Sequence, residues 1–375
     1  MRLRGRHYRT NQTVDVVVSA GVITSVETPH GRPDHQAQWI SPALFDLQIN
    51  GAMGKAFGSP ALNADDVHAV VSRCRLHGIS SLCPTLITGA FDAITHGMNV
   101  LRRVCESSAG MAHAMPCFHL EGPYISREDG ARGAHPLAHV RPPDDDEFRR
   151  FQDAAGGRIR LVTLAPESPG ALTFIQNRVR EGVVVAIGHT SATPQQIRDA
   201  VAAGARLSTH LGNGSHSMLP RHANYLWEQL ADDRLTASVI ADGHHLPDAL
   251  LRCFVRVKGL QRLVLTCDAS SLAGCDPGIY REWGQDIEVL PGGKVIVPGT
   301  PFLAGSGVFL DACVAKLASL GEMPLADVLD AASANPRALL GLPSVTLTPG
   351  SSADVNLYES DPFRVVHTVG GPGSL

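Results

Sequence analysis

Short β-branched runs and longer stretches of helical periodicity alternate through the middle of the chain. Eight runs stand out: Ala43–Ile49, Ile79–Thr85, Met115–Leu120, Ile159–Ala165, Val183–Gly188, Arg206–Thr209, Thr236–Ala241 and Arg262–Cys267. The clearest, Val183 to Ile187, is too short for a helix and rich in β-branched residues. Between the runs lie helical patterns with their own punctuation. Asn63 precedes a segment with Val67, Val70, Val71 and Cys74 on one face and Gly78 as its stop. Ser168-Pro169 opens a second, with Phe174, Ile175 and Val179, closed by Gly182. Thr193-Pro194 opens a third, with Ile197, Ala200 and Val201, closed by Gly204. A cap residue, proline in the first turn and glycine past the last is the asymmetry helix ends favour. Asp144 to Glu147 abuts another helical pattern and reads as a solvated helix start.

Strands alternating with helices predict a parallel sheet. Eight such units over about 300 residues match the size of an α/β (β/α)₈ TIM barrel. The competing fold, an open doubly wound sheet, usually carries a Gly-rich phosphate loop after its first strand. The segment INGAMGKAFG has glycines there but not that spacing, so the barrel is preferred. Both chain ends differ from the middle. Asp15–Val18, a Gly21 turn and Val22–Val26 read as strands, and so does the tail after Leu347. The expected division is a small β-sandwich domain from residues 1–42 and 346–375, with the barrel over 43–345. A further β-like insert, Asp286–Val297, turns at Pro291-Gly-Gly293.

Composition narrows the function classes. The 375 residues are 44% hydrophobic and carry a net charge of −4, which excludes global disorder and gives no basic footprint for nucleic acid. No stretch approaches the length of a membrane span, and no apolar segment follows the charged start MRLRGRHYRT, so a cytoplasmic protein without membrane or nucleic-acid partners is expected. The eight cysteines form no CxxC pair and read as small buried hydrophobes in a reducing compartment.

In a barrel, catalytic groups sit at the C-terminal ends of strands. Gln48 and Asn50 end the first run, and Glu121 follows the third. His189 follows the fifth, His210 ends the sixth, and Asp242, His244 and His245 follow the seventh. Asp268 follows the eighth. Any one of 17 histidines means little, but a carboxylate, several histidines and an aspartate all fall at strand ends, where chance would scatter them. Two imidazoles and a carboxylate around an open position are a common catalytic zinc set.

The motifs SPALFDLQING, GISSLCPTLIT, HLEGPYIS, AIGHTSAT, THLGNG, ADGHH, LTCDASSLAG, GTPFLAGS and SANP with PGSSADV cover nearly the whole chain in one order. In them the chain resembles the amidohydrolase superfamily and, within it, the N-acetylglucosamine-6-phosphate deacetylase family. That resemblance implies a metal-dependent (β/α)₈ barrel with a small β domain from both chain ends. It implies Glu121, His189 and His210 as metal ligands, Asp268 as general base and acid, and His245, preferred over His244, at the substrate's carbonyl. Substrate contacts are implied for Gln48, Asn50, His135, Asn213, Gly214, Arg221 and His245. Where most amidohydrolases bind a second metal with His-x-His, this chain has Gln48 and Asn50, amides that are poor ligands for a transition metal. One divalent metal per chain follows, with zinc favoured over ferrous iron. The loop after His210 departs from the family pattern around Arg221.

The implied reaction is removal of the acetyl group from a small N-acetyl amino sugar, with N-acetylglucosamine 6-phosphate first among substrates, by a homodimer. The nearest alternative is the same chemistry on an unphosphorylated or different N-acyl substrate. A cyclic-amide hydrolase or deaminase is less favoured, because the fourth run ends LVTLAPES without a metal-bridging lysine. A non-catalytic barrel is disfavoured because Asp268 and the ligand histidines are all present.

Overall fold

Each of the eight runs forms a strand of one parallel sheet. Its strands are Leu44–Ile49, Ile79–Ile87, Phe118–Glu121, Ile159–Leu164, Val184–Ile187, Leu207–Ser208, Thr236–Ile240 and Leu263–Thr266, neighbours in space in chain order. A bridge between Ile49 and Ala269, with the Asn50 amide donating to the Ala269 carbonyl at 2.8 Å, joins the first strand to the end of the eighth and closes the barrel. The third strand starts at Phe118, later than the apolar run, because Pro116 lacks the N–H a ladder needs. The structure, a computed structural model, describes residues 1–282, 284–300, 302–371 and 373. Trp283, Pro301 of the GTPFLAGS motif, and Pro372, Ser374 and Leu375 of the C-terminal β segment lie outside the described residues.

A helix follows every barrel strand, and its apolar stripe faces the sheet. In Ala64–Leu76 the buried residues are Val67, Val70, Val71 and Cys74, and the Asn63 side chain caps the first turn. Pro194–Ala203 begins with a capping box between Thr193 and Gln196 and ends on Gly204 in the left-handed region. Asp144 caps Asp145–Ala154. The helix after the fourth strand, Ala171–Arg180, starts later than Ser168-Pro169 would place it, because a turn from Ala171 N–H to the Ser168 carbonyl comes first. Phe45, Leu47, Cys83, Cys117, Leu161 and Val264 fill the barrel interior. Arg337, beside the SANP segment, seals the bottom by donating to Ser81 Oγ and lying over the Phe45 ring. That motif is structural, as residues at the N-terminal face of a barrel generally are.

The chain ends pair into one six-stranded sheet, in the order Phe363–Val369, Val355–Ser360, His35–Pro42, Arg2–His7, Thr13–Ser19, Val22–Glu27. The sheet curls on itself. Ile23 N–H reaches the Ser351 carbonyl and Ala353 N–H the Gly21 carbonyl, both at 2.9 Å, around a core that includes Leu3, Val16, Ile23, Ile40 and Leu357. The insert after the eighth strand is larger than the hairpin expected. It is an antiparallel meander of Gly278–Glu282, Gln285–Val289, Lys294–Ile296 and Leu303–Ser306. Its first strand is largely exposed and so lacks the apolar alternation that reveals a strand. No described helix is long and apolar enough to cross a membrane. Six of the cysteines are buried, but Cys253 is exposed and Cys275 half-buried.

Candidate active site

Three strands end by turning sharply. His189, His210 and Asp268 hold φ of 50°, 30° and 52°, in the left-handed region that non-glycine residues avoid. Such a conformation costs about 1–3 kcal/mol and persists only where the surroundings enforce it. Each turn is pinned by a hydrogen bond. Ser126 N–H donates to the His189 carbonyl at 2.8 Å, His210 N–H to Ser238 Oγ at 2.7 Å, and Ser306 N–H to the Asp268 carbonyl at 2.9 Å. The turns aim three side chains inward from the barrel rim.

Glu121, the last residue of the third strand, meets two of them. Its Oε1 lies 3.0 Å from His210 Nε2 and 3.3 Å from His189 Nε2, and the two Nε2 atoms are 3.1 Å apart. All three residues are buried. Burial alone would raise the Glu121 carboxyl, but hydrogen bonds and charge from the two histidines hold it well below the usual range. The ring of His189 is oriented from outside the cluster, with Nδ1 3.0 Å from the Ala131 carbonyl. A carbonyl only accepts, so Nδ1 carries a proton, and the ring turns Nε2 toward Glu121 and His210. A bond of this kind to the outer ring nitrogen is how metal-binding histidines are usually oriented. A carboxylate oxygen and two imidazole nitrogens converging on one point fit a divalent transition ion.

Asp268 stands beside this cluster. Asn50 Nδ2 donates to its Oδ1 at 2.7 Å, and Gln48 Nε2 donates to the same oxygen at 3.0 Å. Gln48 Nε2 also donates to Glu121 Oε1 at 2.9 Å. Gln48 therefore puts its amide nitrogen between the two carboxylates, and Asn50 adds a second N–H to Asp268. Burial, then the charge of Glu121, pushes Asp268 up to about 8.

His245 is the histidine of the pair that reaches the cavity, and His244 points away to the Gly292 carbonyl. Asp242 sets this choice. Its Oδ1 accepts from the N–H groups of His244 and His245 at 2.8 and 2.9 Å, and its Oδ2 lies 2.7 Å from His245 Nδ1. Burial would raise Asp242, but the hydrogen bond and charge of His245 hold it well below the usual range.

A cavity of about 280 Å³ joins these groups. Of the residues named from the sequence, Asn50, Glu121, His135, His189, His210, Asn213, Gly214, His245 and Asp268 line it. Gln48 lies behind, bonded to both carboxylates. Gly214, at φ +54°, packs on the His189 ring, and a Cβ there would come within 2.7 Å of Nδ1. His135 packs against His189 with centroids 4.3 Å apart and rings tilted by 55°, and bonds through Nδ1 to Thr88 Oγ1 at 2.8 Å. Burial, then the charge of His189, lowers His135 to about 3, so it stays neutral. Arg221 is not brought in: it is exposed, outside the cavity lining, and its carbonyl accepts from Trp227 Nε1. Sequence reasoning missed the orienting partners. Ser306 Oγ donates to Asp242 Oδ2 at 3.1 Å, and Leu303–Gly305 of the same strand form one wall, so GTPFLAGS was the available signal.

No family model matches the chain. Known proteins do. The human N-acetylglucosamine-6-phosphate deacetylase is 36% identical over 86% of this chain and 80% of its own length. The N-acetylgalactosamine-6-phosphate deacetylase of Escherichia coli O157:H7 is 30% identical over 92% of this chain and 90% of its own. A solved N-acetyl-D-glucosamine-6-phosphate deacetylase from Mycobacterium smegmatis, an aspartate-to-alanine mutant in complex with N-acetyl-D-glucosamine-6-phosphate, superposes with a TM-score of 0.90 at 30% identity, over 100% of this chain and 98% of that one.

Proposed function

The chain belongs to the N-acetylglucosamine-6-phosphate deacetylase family of the amidohydrolase superfamily, and on that premise we propose that it converts N-acetylglucosamine 6-phosphate and water into acetate and glucosamine 6-phosphate. One observation carries the reading. A carboxylate gripped by two amides, Asp268, stands in one cavity with the Glu121–His189–His210 cluster and with His245.

Glu121, His189 and His210 hold one divalent ion, with zinc the best match to a carboxylate and two imidazoles. Bound there, such an ion supplies Lewis acidity toward the amide carbonyl and a water far more acidic than bulk. Asn50 and Gln48 fix Asp268 through Oδ1 and leave Oδ2 to handle the proton. Asp268 takes a proton as the water oxygen adds to the acyl carbon. His245, held by Asp242, donates from Nε2 to the carbonyl oxygen as charge develops on it. Asp268 then returns the proton to the sugar nitrogen as the C–N bond breaks. The amine leaves neutral together with acetic acid, which passes its remaining proton to Asp268 and departs as acetate. Gln48 and Asn50 meet the carboxylates with amide N–H groups and offer no imidazole, which supports a single-metal site.

The sugar's anionic end needs cationic contacts that the cavity of one chain lacks among its described residues. Arg221 lies on an exposed loop with Met218, and Trp227 beside it is half-exposed. This supports a homodimer in which that loop packs against a second copy and Arg221 serves the neighbouring cavity, where a guanidinium fork suits phosphate. We place the enzyme in the cytoplasm, where sugar phosphates are kept.

Acetate release from N-acetylglucosamine, N-acetylgalactosamine and their 6-phosphates tests the reading. N-acetylglucosamine 6-phosphate should lead by orders of magnitude in kcat/KM, and Arg221→Ala should erase the advantage of phosphate with metal content unchanged. Equal turnover of the unphosphorylated sugar would show that the family chemistry serves a different substrate here.

A further inference from the structure

A second cavity, of about 250 Å³, lies behind the first at the end of the second barrel strand. Ala56, Gly58, Ile87, Ala93, Ile94 and Pro136 give it a mainly apolar lining. It adjoins the active site, because Asn50 and Ile87 form a wall common to both spaces. The rest of the partition is the hydrogen-bonded pair His135 and Thr88, with His135 on the catalytic side and Thr88 on the far side. Nothing in the chemistry of acetate release uses this space. An acetyl methyl needs only the first cavity.

The geometry of the amide says what would reach it. The acyl carbon must sit beside Asp268, whose Oδ1 is held at 2.7 Å by Asn50. Its two substituents point in roughly opposite directions. The amine side carries the sugar, which is too large for anything but the open mouth between Asn213–Ser215 and Phe302. The acyl side therefore turns toward Asn50 and Ile87, one side chain from the second cavity. Methyl-lined space at that position fits the tail of an acyl group and offers little to a sugar or a charged group.

We propose that this cavity is an acyl-tail subsite, so that the enzyme hydrolyses N-acyl amino sugar phosphates with straight chains of three or four carbons as well as the acetyl compound. The inference rests on the proposed amide hydrolysis at Asp268, and Ile87 is the gate between the two spaces. The reaction is otherwise unchanged: the C–N bond is cleaved by water, and propanoate or butanoate leaves in place of acetate.

The test compares kcat/KM for the N-acetyl, N-propanoyl and N-butanoyl derivatives of glucosamine 6-phosphate, in the wild type, Ala93→Leu and Ile87→Ala. Ala93 touches only the second cavity. The wild type should process the butanoyl compound within about tenfold of the acetyl one. Ala93→Leu should lower the butanoyl value at least tenfold while the acetyl value stays within twofold. Ile87→Ala should raise the butanoyl-to-acetyl ratio. A discrimination above a hundredfold against butanoyl in both wild type and Ile87→Ala would overturn the subsite, and so would Ala93→Leu lowering both substrates equally. Absence of acetyl turnover in the wild type would instead overturn the deacetylase reading.

Discussion

Replacing Asp242 by asparagine changes the charge behind His245 and little else. The new side chain keeps a carbonyl oxygen where Oδ1 accepts the His244 and His245 amides. Its NH₂ replaces Oδ2, which lies 2.7 Å from His245 Nδ1 and 3.1 Å from Ser306 Oγ. Ser306 can rotate to accept. The imidazole cannot donate to an NH₂, so Nδ1 must accept and the ring becomes the neutral Nε2–H tautomer. His245 still has a hydrogen to offer the carbonyl oxygen, but the Asp242 carboxylate no longer stands behind the ring to stabilise charge developing there. Charged hydrogen bonds contribute about 1.5–3 kcal/mol and neutral ones about 1 kcal/mol, so the transition state loses roughly 1.5 kcal/mol. That is about tenfold in kcat. His245→Asn removes the ring donor altogether and should cost about 10²–10³. Steady-state acetate release, with metal content and thermal midpoint measured alongside, should give Asp242→Asn a KM within threefold of wild type and a kcat between the wild type and His245→Asn. An Asp242→Asn kcat within twofold of wild type would refute the argument, as would a loss larger than that of His245→Asn.

Asp268→Asn keeps an acceptor at Oδ1 for Asn50 and Gln48 but cannot take a proton, so fold and metal should persist while turnover falls about 10²–10⁴-fold; a variant within threefold of wild type would remove Asp268 from the reaction. In the metal-free chain Asp268 sits at about 8, above pH 7, so its carboxyl is mostly protonated there, and a cation drives the group the other way. Zinc titrated into the metal-free protein at pH 7 should therefore release about one proton or more per ion, read by calorimetry in buffers of different ionisation enthalpy; zinc binding without proton release would contradict this. Lys258, buried, donates its three ammonium hydrogens to the carbonyls of Gln229, Asp232 and Leu235 at 2.7, 2.9 and 2.9 Å. Lys258→Met leaves those acceptors unpaired at the end of Tyr225–Ala231 and should cost about 3 kcal/mol of stability with kcat/KM unchanged; an unaltered thermal midpoint would show that water replaces the ammonium.

The barrel was legible because each strand is a short apolar run buried on both faces and each helix carries capping residues that act locally. Asn63 and Thr193 mark helix starts in sequence and in space alike. The convergence of Glu121, His189 and His210 was legible because a strand's end is a place in the sequence as well as in the fold. What escaped was set by contacts between distant segments. Asp242 was visible, but its grip on His245 depends on the backbone bringing two successive amides onto one carboxylate oxygen, and Ser306 arrives from an insert 64 residues away. Thr88 holds His135 across 47 residues, with no spacing to announce it. Met218 and Arg221 are exposed within a single chain, so their purpose cannot be read from that chain's own packing.

If one ion held by Glu121, His189 and His210 makes this barrel an amide hydrolase, acetate release from N-acetylglucosamine 6-phosphate will follow zinc added stepwise to the metal-free protein. The rate should be negligible without metal, rise linearly, and break sharply at about one equivalent per chain. Full activity in the presence of a strong chelator, or a rise that continues to two equivalents, would contradict it.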